Sequence, residues 1–243
     1  MTERVALIIG AGDATGGAIA KAFAREGLVA CVSRRPRNVA QLEALAETIR
    51  AEGHQAKAFP ADARDEGAVT QMVDAIERDV GPIEVAVFNV GGNVNFPIGE
   101  TTARVYRKVW EMGCLAGFLV GREVAKRMIP RRRGTILFTG ATASLRGGSG
   151  FSAFAGAKAS LRMLSQSMAR ELGPQNIHVA HIVIDGMIDT AFIRGLRSDF
   201  DDLKARDAVL SPEQIATNYV MLHKQHRSAW THELDLRPWS EIF

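Results

Sequence analysis

Short runs rich in Val, Ile and Leu recur at Val5–Ile9 and at residues 29–32, 85–88, 135–138 and 179–184. Apolar residues do not alternate with polar ones inside these runs, the pattern of strands buried on both faces. Such strands need helices above and below them. Segments 17–25, 39–52, Glu66–Asp79, 102–128 (long enough for two helices) and Ser152–Leu172 carry a helical period and lie between the runs. Alternation of strand and helix demands right-handed crossovers, so the expected class is α/β, a doubly wound parallel sheet with helices on both faces. Gly53, Gly81-Pro82 and Gly173-Pro174 mark helix ends. Beyond residue 185 the pattern loosens. Segments 188–207 and 211–223 read as two further helices, the second with Ser211 as N-cap and Pro212 at its first position. A last short strand is expected over 232–236.

The chain has 243 residues, 47% hydrophobic and 23% charged, which excludes disordered and fibrous classes and fits one domain over residues 1–243. The apolar stretch near its start is too short for a signal peptide core or a spanning helix, so a cytoplasmic protein without a membrane partner is expected. Cys31 and Cys114 show neither disulfide nor metal spacing, and no metal site is expected. The net charge is only +3, and the one dense basic run, Arg131-Arg132-Arg133, reads as a solvated turn rather than a nucleic-acid patch.

In doubly wound sheets ligands bind beyond the carboxyl ends of the strands, which directs attention to the first strand-to-helix turn. It reads Gly10-Ala11-Gly12-Asp13-Ala14-Thr15-Gly16-Gly17. Gly10 permits a tight turn, Gly16 allows close packing of helix on sheet, and the free N–H groups of the helix start suit a pyrophosphate. A plain glycine-rich turn would look the same. Further along lie Asp62, the run Phe88-Asn89-Val90-Gly91-Gly92, Phe154-Ala155-Gly156-Ala157-Lys158 and Asp185-Gly186-Met187-Ile188-Asp189-Thr190. In this order and at these distances the motifs resemble the short-chain dehydrogenase/reductase family over about residues 4 to 222. The resemblance implies a Rossmann-type domain binding NAD(P). It places Gly10, Gly12, Asp13, Ala14, Thr15 and Gly16 at the pyrophosphate, Asp62 and Ala63 at adenine, and Asn89, Val90, Gly91 and Lys158 at the ribose. Gly186, Ile188 and Thr190 fall beside the nicotinamide. Ile9 stands where the family has a supporting Thr.

At the end of the second strand NAD-preferring proteins place an acid on the ribose hydroxyls. Here the sequence is Ser33-Arg34-Arg35. A guanidinium at Arg34 suits a 2′-phosphate and cannot accept from hydroxyls, so NADP(H) is favoured over NAD(H). Asp13 argues the other way, and Arg34, Arg35 and Arg37 could equally be a solvated turn.

The family's chemistry rests on a Tyr and a Lys four residues apart, a Ser thirteen before the Tyr, and an Asn on the preceding helix. Lys158 matches the Lys, but the other three positions hold Phe154, Ala141 and Cys114. Catalytic candidates are therefore Lys158, Asp185 and Ser144, with Thr142 near the vacant Ser place. Asp185 could serve as a general acid or base, or as a turn carboxylate bonded to following N–H groups. Neither Tyr106 nor Tyr219 has the helical spacing from Lys158, and Tyr106 is expected to pack with Trp110. His178 and His181 read as sheet histidines. Three functions follow: an NADP-dependent oxidoreductase of a small molecule with a non-standard proton donor, including an enoyl- or dienoyl-type C=C reductase; a silent nucleotide-binding scaffold or sensor; and a non-redox enzyme on the same fold. A homodimer or homotetramer through 114–128 and Ser152–Leu172 is expected, as in the family. Segments 93–99 and 192–207 are expected to shape the pocket, with substrate-loop helices over 185–210. The tail, 224–243, carries Trp230 and Trp239 and is expected to dock, with a neighbouring subunit as one candidate surface.

Overall fold

The computed structural model describes residues 3–12 and 14–242, so the candidate Asp13 lies outside the described residues. Among them, β1 (Val5–Ile9), β2 (Val29–Ser33), β3 (Ala56–Ala58), β4 (Ile83–Phe88), β5 (Gly134–Thr139), β6 (Ile177–Ile184) and β7 (Glu233–Leu236) form one parallel sheet in the order β3-β2-β1-β4-β5-β6-β7. The order reverses between β1 and β4, which opens a crevice at their carboxyl ends.

Helices α1 (Thr15–Arg25), α2 (Val39–Ala51) and α9 (Pro212–Lys224) cover one face; α3 (Glu66–Asp79), α5 (Ala116–Arg131) and α6 (Ser152–Leu172) cover the other. Successive strand residues feed opposite cores. Val5, Leu7 and Ile9 pack with Val69, Val120 and Leu161, whereas Ala6 and Ile8 pack with Phe23, Leu42 and Tyr219. This double burial is why the runs contain no alternation. Tyr219 is fully buried, and its Oη lies 2.7 Å from Thr139 Oγ1 on β5. Tyr219→Phe leaves that threonine hydroxyl without its partner and is expected to lower the unfolding free energy by about 1–3 kcal/mol, read as a lower urea midpoint at unchanged slope.

Four expectations are refined. Segment 102–128 is α4 (Ala103–Trp110), a π turn over Glu111–Leu115, and α5, stacked end to end. Segment 188–207 does not form one helix. Thr190 caps a short α7 (Ala191–Leu196), residues 197–199 break the helix, and α8 (Phe200–Ala205) follows. The arginine run is not simply solvated: Arg131 pairs with Glu77, Arg132 ends α5 at φ 49°, and Arg133 pairs with Glu84. The tail docks on its own chain. Trp230 stacks on His178 with ring centroids 4.9 Å apart, β7 joins β6, and Trp239 Nε1 donates to the Arg206 carbonyl at 2.8 Å.

Candidate functional site

Gly10 ends β1 at φ 83° and donates its N–H to the Ser33 carbonyl at 2.9 Å. A Cβ there would approach the Asn89 carbonyl oxygen to 2.2 Å, so backbone conformation and crowding both require glycine. At Gly16 a Cβ would come within 2.3 Å of the Gly10 carbonyl oxygen, which lets α1 start hard against the loop. Asn89 ties the second side of the crevice to the first: its N–H donates to Ile9 O at 2.9 Å and its Nδ2 to Gly10 O at 3.3 Å. Ala14 occupies the N-cap of α1 and supplies no side-chain bond, leaving the first N–H groups without a side-chain acceptor. Ser33 and Thr15 are buried, and neither side chain lines a cavity here. Ser33 supports the loop through its carbonyl.

A cavity of about 220 Å³ opens between this loop and the ends of β2 and β3, lined by Gly10, Gly12, Arg34, Arg35, Asp62, Ala63 and Arg64 among others. Arg64 grips Asp62 through Nε at 2.9 Å and Nη2 at 2.5 Å, holding that carboxyl below the usual carboxylate range. Burial, reinforced by the neighbouring cations Arg37 and Arg64, pulls the Arg35 guanidinium below its ordinary value. Three arginines against one aspartate leave the cavity with an excess of positive charge. Arg64 is absent from the sequence-derived set; its spacing two residues after Asp62 was the available signal.

The first cavity shares Asn89, Val90 and Gly91 with a second, of about 520 Å³, which also has Lys158, Gly186, Ile188 and Thr190 in its wall. Lys158 is 3% exposed and donates from Nζ to Thr139 O at 2.7 Å and Val90 O at 3.1 Å. Burial lowers its pKa to about 8. Phe154, one turn earlier on α6, lines the cavity with its ring centroid 5.9 Å from Nζ. Ala141 and Thr142 follow β5 into the same wall. Cys114 sits in the π turn outside this wall, and burial pushes its thiol up. Thr190 and Ala14 also line the adjoining cleft between α1, α2 and α7. Thr190 is occupied as the α7 cap, its Oγ1 accepting the Ile193 N–H at 3.1 Å. Gly186 has φ 148°, and a Cβ there would meet Pro238 of the tail at 2.7 Å.

The other two catalytic candidates stand behind this surface. Ser144 is buried, and its Oγ accepts the Ala141 N–H at 3.1 Å. Asp185 is 0% exposed, so its side chain does not reach the cavity. Its Oδ1 accepts from Thr142 Oγ1 at 2.5 Å, and its Oδ2 from Arg146 Nη2 at 3.2 Å. Arg146, missed as a site residue, does line the cavity. Of the sheet histidines, His181 bonds Glu233 through Nδ1 at 3.0 Å, and burial lowers its pKa to about 4. Tyr106 packs its ring end over Gly156 on α6, where a Cβ would meet Oη at 2.6 Å.

A parallel sheet in this order, with a glycine turn at the switch point and a buried lysine across the crevice, defines a class of dinucleotide-fold proteins. The short chain dehydrogenase profile matches residues 4–201, and the chain belongs to that family, whose members are NAD(P)(H)-binding oxidoreductases of small molecules. Over 189 residues it is 32% identical to 2,3-dihydro-2,3-dihydroxybenzoate dehydrogenase of Bacillus subtilis, covering 77% of this chain and 70% of that protein. A short-chain dehydrogenase/reductase of Hericium erinaceus is 34% identical over 222 residues, 87% of each chain. Among solved structures, a short-chain dehydrogenase from Rhodopseudomonas palustris is 48% identical with a TM-score of 0.83, covering 97% of this chain and 99% of that one. Actinorhodin polyketide ketoreductase, solved with NADPH, shares the fold at a TM-score of 0.87 and 22% identity. No helix among the described residues is long and apolar enough to cross a membrane, and no group of potential metal ligands occurs among them.

Proposed function

We propose that the chain is an NADP(H)-dependent oxidoreductase of a small molecule whose proton path does without the family's tyrosine. One observation carries this: the arginine-rich cavity and the Lys158 cavity meet at Asn89, Val90 and Gly91, so one extended dinucleotide can reach both. The donor set fits such a group. The first N–H groups of α1, which have no side-chain acceptor, suit the pyrophosphate, with the missing Cβ atoms of Gly10 and Gly16 keeping the loop tight. Arg34 and Arg35 suit a 2′-phosphate, whose charge relieves their mutual repulsion. Asp62 and Ala63 would border adenine, Asn89 and Lys158 the second ribose, and Gly186, Ile188 and Thr190 the nicotinamide. When bound, the nicotinamide supplies or accepts the hydride.

The chain's residues must handle the proton. Among the described residues lining the second cavity the ionisable ones are Lys158 and Arg146, and a guanidinium does not release a proton in this range. Lys158, with a pKa lowered to about 8, can. Thr142 gives its hydroxyl proton to Asp185, which leaves its Oγ1 to accept from a substrate hydroxyl, while Asp185 and Ser144 act as positioning residues from behind the wall.

The test is titration with NADPH and NADH, followed in the same sample by carbonyl and enone substrates. NADPH is expected to bind more tightly, and Arg34→Ala to erase that preference by removing charged hydrogen bonds of about 1.5–3 kcal/mol, roughly 10- to 150-fold. Equal binding of both nucleotides removes the NADP assignment, and binding of neither removes the whole proposal. Phe154 and Ala141 in the wall favour one second reading, a nucleotide-binding protein that does not turn over. Tight NADPH binding with no consumption on any substrate would select it. Exposed Phe118 and Met163 on α5 and α6 support assembly as a homodimer or homotetramer, which sedimentation velocity measures.

A further inference from the structure

We infer that Arg146 is the specificity-determining residue of the second cavity, and that the substrate it receives is a small carboxylic acid with an apolar body. This rests on the cavity being the substrate site proposed above. Arg146 projects from the segment after β5, and its side chain is 45% exposed at the wall. Its contact with Asp185 uses Nη2 alone, at 3.2 and 3.4 Å. Nε and Nη1 have no partner among the described residues.

A guanidinium present only to neutralise Asp185 would be expected to bury itself against both carboxylate oxygens with more than one nitrogen. Here the carboxylate is the buried member, and the cation faces the cavity. Asp185 also accepts from Thr142, so the carboxylate holds two cavity-wall side chains at once. Their geometry is thereby set before any ligand arrives.

The rest of the wall agrees. No acidic residue lines this cavity among the described residues, while two cations, Arg146 and Lys158, do. Phe151, Phe154, Ile184, Met187, Ile188 and Ile193 supply apolar surface between and around them. A neutral sugar would leave that surface and the free N–H groups unused. A carboxylate on an aliphatic or aromatic body uses both, accepting from Nε and Nη1 in the paired geometry that guanidinium favours.

The experiment measures binding of benzoate and hexanoate, each against its neutral amide, by calorimetry with and without saturating NADPH. The carboxylates are expected to bind at least tenfold more tightly than the amides. Arg146→Gln is expected to cut carboxylate affinity roughly 10- to 100-fold and leave the amides unchanged; Arg146→Lys should recover part of the loss as a point charge without the fork. Equal binding of acid and amide to the wild-type protein overturns the inference, as does undiminished benzoate affinity in a folded Arg146→Gln protein. So does absence of carboxylate binding in both nucleotide states. If Arg146→Gln does not fold, the acid-to-amide ratio of Arg146→Lys decides, an unchanged ratio counting against the guanidinium. NADPH binding is read separately by fluorescence, so failure of the nucleotide site is distinguished from failure of the anion site.

Discussion

Replacing Lys158 with Met is expected to make the stability gap between variant and parent strongly pH-dependent. The ammonium is buried and its pKa falls from 10.5 to about 8 on folding. A group depressed in the folded state adds stability that is fully present above its unfolded pKa and is lost as pH falls through the folded one. The parent should therefore gain about 3 kcal/mol between roughly pH 8 and pH 10.5, the free-energy equivalent of that difference for a fully buried group. The methionine variant lacks the titration and gains none of it. Loss of the donor to Thr139 O and Val90 O shifts both ends of the comparison equally, so the slope isolates the charge. Urea unfolding of both proteins across that window is the measurement; parallel curves would show that Lys158 is not buried as a cation. For turnover, removing the group is expected to cost roughly 10²–10⁴-fold, and the parent rate should fall as pH rises through the same pKa. A rate that is flat through this range would remove Lys158 as the proton carrier.

The sheet was legible because burial on both faces leaves one signature, apolar runs without alternation, and every such run became a strand. Ser211 was readable as a cap because its chemistry is local: its Oγ accepts the Gln214 N–H. Residues 188–207 were not. They contain enough Leu, Ile and Phe to imitate one helix, but Phe192 and Leu196 are exposed, so no core enforces the period. The actual break is set by capping at Thr190 and by the Arg197–Asp199 pair.

At the site, the glycine loop and Lys158 could be assigned positions through the family resemblance, because its motifs are fixed by order and distance along the chain. Ser144 and Asp185 could not, since which way a side chain turns after β5 or β6 depends on partners distant in sequence. Asp185 takes its bonds from Thr142 and Arg146, some forty residues earlier. Arg146 was invisible for the same reason: only the fold brings it to the cavity that Lys158 lines. The tail shows the reverse case, its tryptophans announcing docking without naming the surface. That surface is His178 on β6 and the Arg206 carbonyl after α8.

The double substitution Phe154→Tyr with Ala141→Ser is expected to create carbonyl reductase activity, with a gain of roughly 10²–10⁴-fold over the parent, the usual contribution of a positioned general acid. The scaffold for it is in place. Phe154 already lines the cavity, and its ring lies 5.9 Å from the Lys158 ammonium. A cation beside a phenolate favours its charged form, which lowers the phenol's pKa toward the working pH. Ala141 is extended, with φ −157° and ψ 173°, and lines the same wall, so a hydroxyl there faces the cavity that holds Lys158. Its N–H is already fixed by Ser144 Oγ, which limits backbone adjustment. The Ser change alone adds a polariser without an acid and should contribute little; the Tyr change alone should carry most of the gain. NADPH consumption by the four proteins on one carbonyl panel separates these contributions. If the double variant folds and binds NADPH yet reduces nothing, the cavity differs from a carbonyl reductase by more than two hydroxyls. Its cations and apolar wall would then be shaped for a substrate whose reduction does not generate an alkoxide.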